Sequence, residues 1–354
     1  MKAEPIKPTS GSAKPANVPP VTPSYFHDHD STYYHSFERS ITARLYFSKK
    51  FTTLELERQS QAARFRYIPN TDLTMGVGVT YQSISVNFAY GFGFLNPEDG
   101  KGKTKYLDLQ SHIYGRKWTI DLLGQFYKGY YLATKGLAAS NPSAYYKRPD
   151  LATRLFGISA YHIFNNERFS YRAAMIQNEK QKKSAGSLLV GADIYYGIIK
   201  ADSSLVPSIL AENYTQKNLR RLDFLKIGPG IGYAYTVVIS HDFFVMGSLS
   251  GNLNFDYSRQ QGVEGQRDKF AVNPGFIYRL VAGYDKNNWN INVSLVGNQM
   301  KVSAAGSSDN YLLGGGNLRL TFARRFTPGA KLSRKLHPVD KAIEKVKGRK
   351  GSGQ

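Results

Sequence analysis

The stretch Ser83 to Phe94, SISVNFAYGFGF, alternates without a break: Ile84, Val86, Phe88, Tyr90, Phe92 and Phe94 are apolar, and the residues between them are polar or small. A period of two over this length describes a strand with a different solvent on each face. Its length suits a membrane-crossing β-strand, which needs about 9–11 residues. The pattern recurs along most of the chain. It predicts an all-β fold, an up-and-down antiparallel transmembrane β-barrel with lipid outside and polar groups inside.

Composition narrows the reading. No run of about 18 apolar residues occurs, which excludes a membrane-spanning helix. The 25 Tyr, 20 Phe and 33 Gly suit interfacial aromatic girdles, tight turns and a crowded lumen. With no Cys, neither disulfides nor thiolate metal sites can form. The start, Met1-Lys2-Ala3-Glu4-Pro5, has no apolar core of a signal peptide. A barrel of the bacterial outer membrane must be exported, so the expectation is that the export signal is missing from the sequence as given.

The chain divides into a flexible polar lead (1–40), a barrel (41–326) and a basic tail (327–354), amphipathic or disordered. Of the net charge of +21, the lead contributes nothing and the tail +6, leaving +15 in the barrel. Such charge attracts anionic glycolipid or anionic solutes, and no nucleic-acid-binding motif accompanies it. Candidate strands begin with 41–47 and 51–57, read as one interrupted strand. Next come 62–68, 73–81, 83–94, 105–114, 118–131, 151–164, 168–177, 187–199, 222–239, 243–257, 270–284, 289–302 and 311–326. The expected number is even, fourteen with twelve as the runner-up.

Alternation assigns faces. Toward lipid fall Val86, Phe88, Tyr90, Ile120, Leu122, Ile194, Ile291 and Val293. Toward the lumen fall Arg64, Arg66, Asp108, Gln110, His112, Asp121, Gln125, Arg172, Asp193, Arg279 and Arg319, with Glu55 and Glu57. These charges are too costly in lipid and can satisfy one another inside.

Three segments carry a resemblance: YIPNTDLTMGVGVTY (67–81), TKYLDLQSHIYGRKWTIDLLGQFYKGYYL (104–132) and FSYRAAMIQNEKQKKSAGSLLVG (169–191). Together they resemble domain-of-unknown-function family 4421, outer-membrane barrels of Bacteroidetes, over roughly residues 40–327. The resemblance implies a barrel and its location, and supplies no catalytic residues.

Several constellations have both a functional and a plain structural reading. Asp108, Gln110, His112, Arg116, Asp121, Gln125 and Lys128 around one hairpin form either a selecting row or a network that fills the interior. His27, Asp28, His29, Asp30 and His35 have the chemistry of a metal site but equally that of a soluble lead, and neither a metal nor a cofactor is expected. Ser111 and His112 are sequence neighbours on one strand, so they point to opposite faces, and His162 with Ser159 also fails on parity. No catalytic triad is expected, and the chain is not expected to be an enzyme. The charged run 179–183 suits lipopolysaccharide phosphates or plain solvation. Val339, Ile343 and Val346 recur at helical spacing. The expected function is a porin-like channel for small, anionic solutes. The alternative is a structural or interaction barrel with a filled lumen that docks envelope partners or glycolipid through its loops or tail. A hydrolase is a minor third possibility.

Overall fold

A computed structural model describes residues 29–37, 40–57, 64–82, 84–97, 99–214, 216–263, 265–306 and 309–338. His27 and Asp28 of the proposed cluster and the apolar spacing 339–346 lie outside them. The chain begins with a short strand β1 (Tyr34–Ser36), then β2 (Ile41–Glu57), β3 (Arg64–Ile68), β4 (Leu73–Tyr81), β5 (Ile84–Tyr90), β6 (Lys105–Tyr114), β7 (Trp118–Leu132) and β8 (Lys147–Ile163). A five-residue helix α1 (Tyr171–Met175) and the short β9 (Glu179–Gln181) precede β10 (Ala185–Lys200). Five long strands complete the wall: β11 (Leu219–Ile239), β12 (Phe243–Gly262), β13 (Gly265–Asp285), β14 (Trp289–Ser303) and β15 (Asn310–Phe326).

Ten strands form a closed antiparallel ring in the order β15-β14-β13-β12-β11-β10-β8-β7-β3-β2, with β15 pairing back onto β2. Three strands stand outside it: β4 pairs β2, β5 pairs β4, and β6 pairs β7. The expected fourteen is therefore corrected, for two reasons. The segment 168–177 is no strand: Phe169 to Ala174 are all buried in succession, enclosed on every side, and Ser170 caps α1 by accepting from the Ala173 amide at 3.1 Å. And β3 and β4 lie in turn along the same partner, β2, interrupted at 69–72.

That interruption also flips the faces. Along β2 the even-numbered residues point inward, Leu54 and Leu56 being almost fully buried. In β4 the buried residues are the even-numbered Gly76, Gly78 and Thr80, whereas in β3 they are the odd-numbered Phe65 and Tyr67. Pro69 cannot donate to a ladder, and the extra residue beside it moves the register by one, which exchanges the faces.

The outer wall is apolar, with Leu45, Val77, Phe156, Ile158, Ile227, Leu253, Phe276, Leu280, Leu320 and Phe322 all exposed. Aromatic residues gather at one rim, where Tyr284 lies 4.6 Å from Phe243 and 5.2 Å from Trp289 between ring centres. That rim holds the start of β2, the end of β15 and the short turns 115–117, 240–242 and 286–288; it is the termini end. The long connections 91–104, 133–146 and 201–218 lie at the other, the loop end.

Candidate functional site: a filled lumen and a parted seam

Inward-facing residues of the wall build polar hubs. Asp121 on β7 accepts His112 Nδ1 at 2.6 Å and Ser159 Oγ at 3.3 Å, and it pairs with the fully buried guanidinium of Arg279 on β13. Asp108 on β6 accepts the Tyr127 hydroxyl at 2.5 Å, Gln125 Nε2 at 3.0 Å, Gln110 Nε2 at 3.2 Å and Lys50 Nζ at 3.2 Å. Lys226 on β11 donates to Asp256 on β12 at 2.6 Å, and Asn273 donates to the same carboxylate at 2.6 Å. Asp193 is buried on β10, and its Oδ1 has no partner among the described residues. Arg319 lies against the Tyr46 ring, 4.4 Å from its centre.

Two mouths close this interior. At the termini end the segment 164–184 folds across the opening. Arg44 Nη1 donates to the Ile176 carbonyl at 2.7 Å and Arg325 Nε to that of Gln177 at 2.7 Å, while Arg279 stacks on Tyr171. Glu179, fully buried, takes Arg116 at 3.4 Å and Arg172 at 3.5 Å, and β9 pairs with β1. At the loop end the connection 201–218 turns inward. Leu205 and Val206 are buried among Leu54, Leu56, Phe65 and Tyr67, and the Tyr67 hydroxyl donates to the Leu205 carbonyl at 2.9 Å. Arg148 fixes the same connection by donating to the Ser204 carbonyl at 2.7 Å.

Between the hubs lies a cavity of about 50 Å3 lined by Gln110, His112, Asp121, Ser159, Tyr195 and Asn298. That is room for a few waters, each needing about 10–15 Å3. Beside it the wall is parted. No hydrogen-bonded pairing joins β5 to β6, and residues 85–90 of β5 are exposed on both faces. Chemically, the pair formed by His112 and Asp121 is an oriented proton acceptor, because the carboxylate fixes the ring. Ser159 sits on the carboxylate rather than on the imidazole, so the three residues do not form a nucleophilic relay.

The structure thus brings Asp108, Gln110, His112, Asp121, Gln125, Asp193, Arg279 and Arg319 to the lumen, and sets Val86, Phe88, Tyr90, Leu122, Ile194, Ile291 and Val293 on the outer face with Ile120 partly covered beside them. Arg66 is corrected: it is exposed on the outer face, opposite Glu55, because the register change at 69–72 reverses β3. Arg64 stands opposite Glu57 in the same ladder, and its side chain lies outside the described residues. Arg172 is corrected as well, from a wall strand to the α1 cap, where it donates to the Gln82 carbonyl at 2.9 Å. Lys50, Lys226, Asp256 and Arg325 are members of the polar network that face assignment missed. The register holds the signal for one pair, since Lys226 stands directly opposite Asp256. His29, from the lead cluster, stacks on Tyr34 at 4.4 Å.

Solved structures with this architecture include the outer-membrane protease OmpT from Escherichia coli, 10% identical, with 82% of this chain and 98% of that chain covered and a TM-score of 0.38. The translocator domain of the autotransporter NalP from Neisseria meningitidis is 8% identical over 81% of this chain and 88% of that one, with a TM-score of 0.32. The toluene transporter TodX from P. putida is 8% identical over 82% and 91%, with a TM-score of 0.25. Likeness at this level extends to the outer-membrane barrel fold alone. The expectation that the chain is not an enzyme is withdrawn: the structures matched include an outer-membrane protease. Among curated proteins no match is found. The family model described as Domain of unknown function (DUF4421) matches residues 28–326, most of the chain, and the protein belongs to that family.

Proposed function

We propose that this protein is an outer-membrane barrel with a filled lumen, acting through its wall and its two ends rather than as a diffusion pore. The supporting observation is the succession of layers along the axis: the cap of 164–184, the hubs on Asp121, Asp108 and Asp256, and the inward connection 201–218. In this reading the termini end, with its short turns, faces the periplasm and the long connections face outward. Residues 41–326 are the membrane unit. The basic tail from 327 lies on the periplasmic side, where it can dock anionic envelope partners.

The porin-like alternative needs a continuous wet path, and the 50 Å3 cavity is far too small to form one. Recording in planar bilayers decides between the two. Folded, inserted protein should give no conductance steps; stable steps with anion preference would overturn the filled-lumen reading.

A further inference from the structure

Four cations stand on the outward face of adjacent strands near the loop end. Lys105 on β6, Lys128 on β7 and Lys200 on β10 occupy one cross-strand row that runs through Ala152 of β8, each directly opposite the next. Arg154 stands one outward position below Ala152, opposite Phe126 and Ile198. All four are exposed, and none makes an ion pair or hydrogen bond with a described residue. Charged neighbours elsewhere on this rim neutralise themselves, as in Arg221 with Asp223 at 2.7 Å and Arg259 with Asp268 at 3.1 Å.

The four cations border a groove of about 630 Å3 whose apolar lining includes Leu107 and Phe126. Just below, the ring of Phe156 meets Phe126 edge to face at 5.2 Å. Two carboxylates line the groove: Asp150 is taken by Arg148 at 2.9 Å, which leaves Asp202. The row from Lys105 to Lys200 crosses three strand spacings, roughly 15 Å. Like charges set directly opposite one another destabilise a sheet, so the fold alone gives no reason for such a row. Its height does give one. From Trp118 to Lys128 the strand climbs about 25 Å, at about 3.3 Å per residue and a tilt of about 40°, which is the height of the apolar band of such barrels. When Trp118 sits at one interface, Lys128 reaches the other.

We infer that this groove binds the headgroup of a phosphorylated, multiply acylated sugar of the surrounding leaflet, of the lipopolysaccharide class. The phosphates lie along Lys105, Lys128, Arg154 and Lys200, and acyl chains cover Leu107, Phe126 and Phe156. The occupant is chosen by charge complementarity spread over several positions and by the continuity of the groove with the lipid-facing wall. The inference goes beyond the filled-lumen reading, and it rests on the placement of the loop end at the outer surface.

Native mass spectrometry of the full chain tests it, with heat-modifiable mobility verifying that each variant is folded. The probes are lipid A and enzymatically dephosphorylated lipid A. Lipid A should remain bound and its dephosphorylated form should not. K105Q/K128Q/R154Q/K200Q should weaken lipid A roughly fivefold for each cation removed. If that variant fails to fold, K105Q/K128Q alone should weaken it roughly 25-fold. K286Q/R324Q, which removes two exposed cations at the opposite rim, should leave binding unchanged. Undiminished binding in the row variants, equal loss in K286Q/R324Q, or equal retention of the dephosphorylated lipid would each overturn the inference. The placement it rests on is read separately. Because the chain has no cysteine, Ser140→Cys in connection 133–146 should react with a membrane-impermeant thiol reagent on intact cells. Lack of labelling would fail the placement and with it the choice of an outer-leaflet lipid, whatever the lipid measurement gives.

Discussion

Asp121 illustrates how the lumen is held at single residues. Its carboxylate neutralises a guanidinium that has no other charged partner among the described residues and almost no contact with water. Asp121→Asn should therefore destabilise the barrel by about 3–5 kcal/mol, through an uncompensated buried charge; unchanged denaturant resistance would show that Arg279 finds another acceptor. His35 on β1 belongs to the cap, outside the membrane-spanning strands. Burial, then the positive charges of Lys182, His29 and Arg325, lower its pKa from the usual 6.5, while Glu179 opposes them. A base with a lowered folded pKa stabilises the fold fully above pH 6.5, and that contribution falls as pH drops toward the folded value. Protection against amide exchange at residues 34–36 and 179–181, corrected for the intrinsic exchange rate, should thus fall below pH 6.5, and His35→Gln should remove that pH dependence. Asp242 behaves in the opposite range: the Lys180 hydrogen bond at 2.8 Å lowers its pKa below 3.8, so this latch persists until pH falls below that value. Alternation alone pointed Asp108, Asp121 and Arg279 inward because each stands between apolar neighbours on the opposite, outer face. It missed Lys226, which shares its strand with Arg220, Arg221 and Asp223 and whose partner becomes visible only when two strands are set side by side.

At the level of elements, the seam between β5 and β6 is the feature that lipid tolerates least. Unpaired strand edges within hydrocarbon leave backbone groups unsatisfied at several kcal/mol each. The faces of the two edges match. With Phe88 set opposite Leu107 and Val86 opposite Leu109, apolar residues fall outside, while Ser85 meets Gln110 and Asn87 meets Asp108 inside. Val86→Cys with Leu109→Cys should therefore cross-link in oxidised, bilayer-inserted protein and give a wall of twelve strands. A folded protein that never cross-links would mean that the seam stays parted. Gly129 carries a related constraint where β7 bulges. Its φ is +97°, and an added Cβ would stand 2.4 Å from the Lys103 carbonyl, so Gly129→Ala should displace the entry to β6 and weaken binding along the Lys105 row. Most strand positions were legible because two solvents impose a period of two. The cap around α1 was not, because its residues are enclosed on every side and have no two-solvent signature. Nor was the reversal of β3, since a single inserted residue leaves both flanking patterns intact while exchanging what they mean.

Across the whole molecule the barriers stand in series. Removing residues 168–182 should open the termini end and yet leave bilayers silent, because the hubs on Asp121 and Asp256 still occupy the interior; conductance from that deletion would show that the cap alone seals the lumen. The ring itself is completed by a bond between extremes, for β15 pairs along its whole length with β2. Until the last of these strands has been made, the first has no neighbour on that side, and every earlier strand adds to an open sheet with a live edge. Closure is thus an event in time as well as in space. Only a chain that has brought its first wall strand and its last together holds a ring without edges.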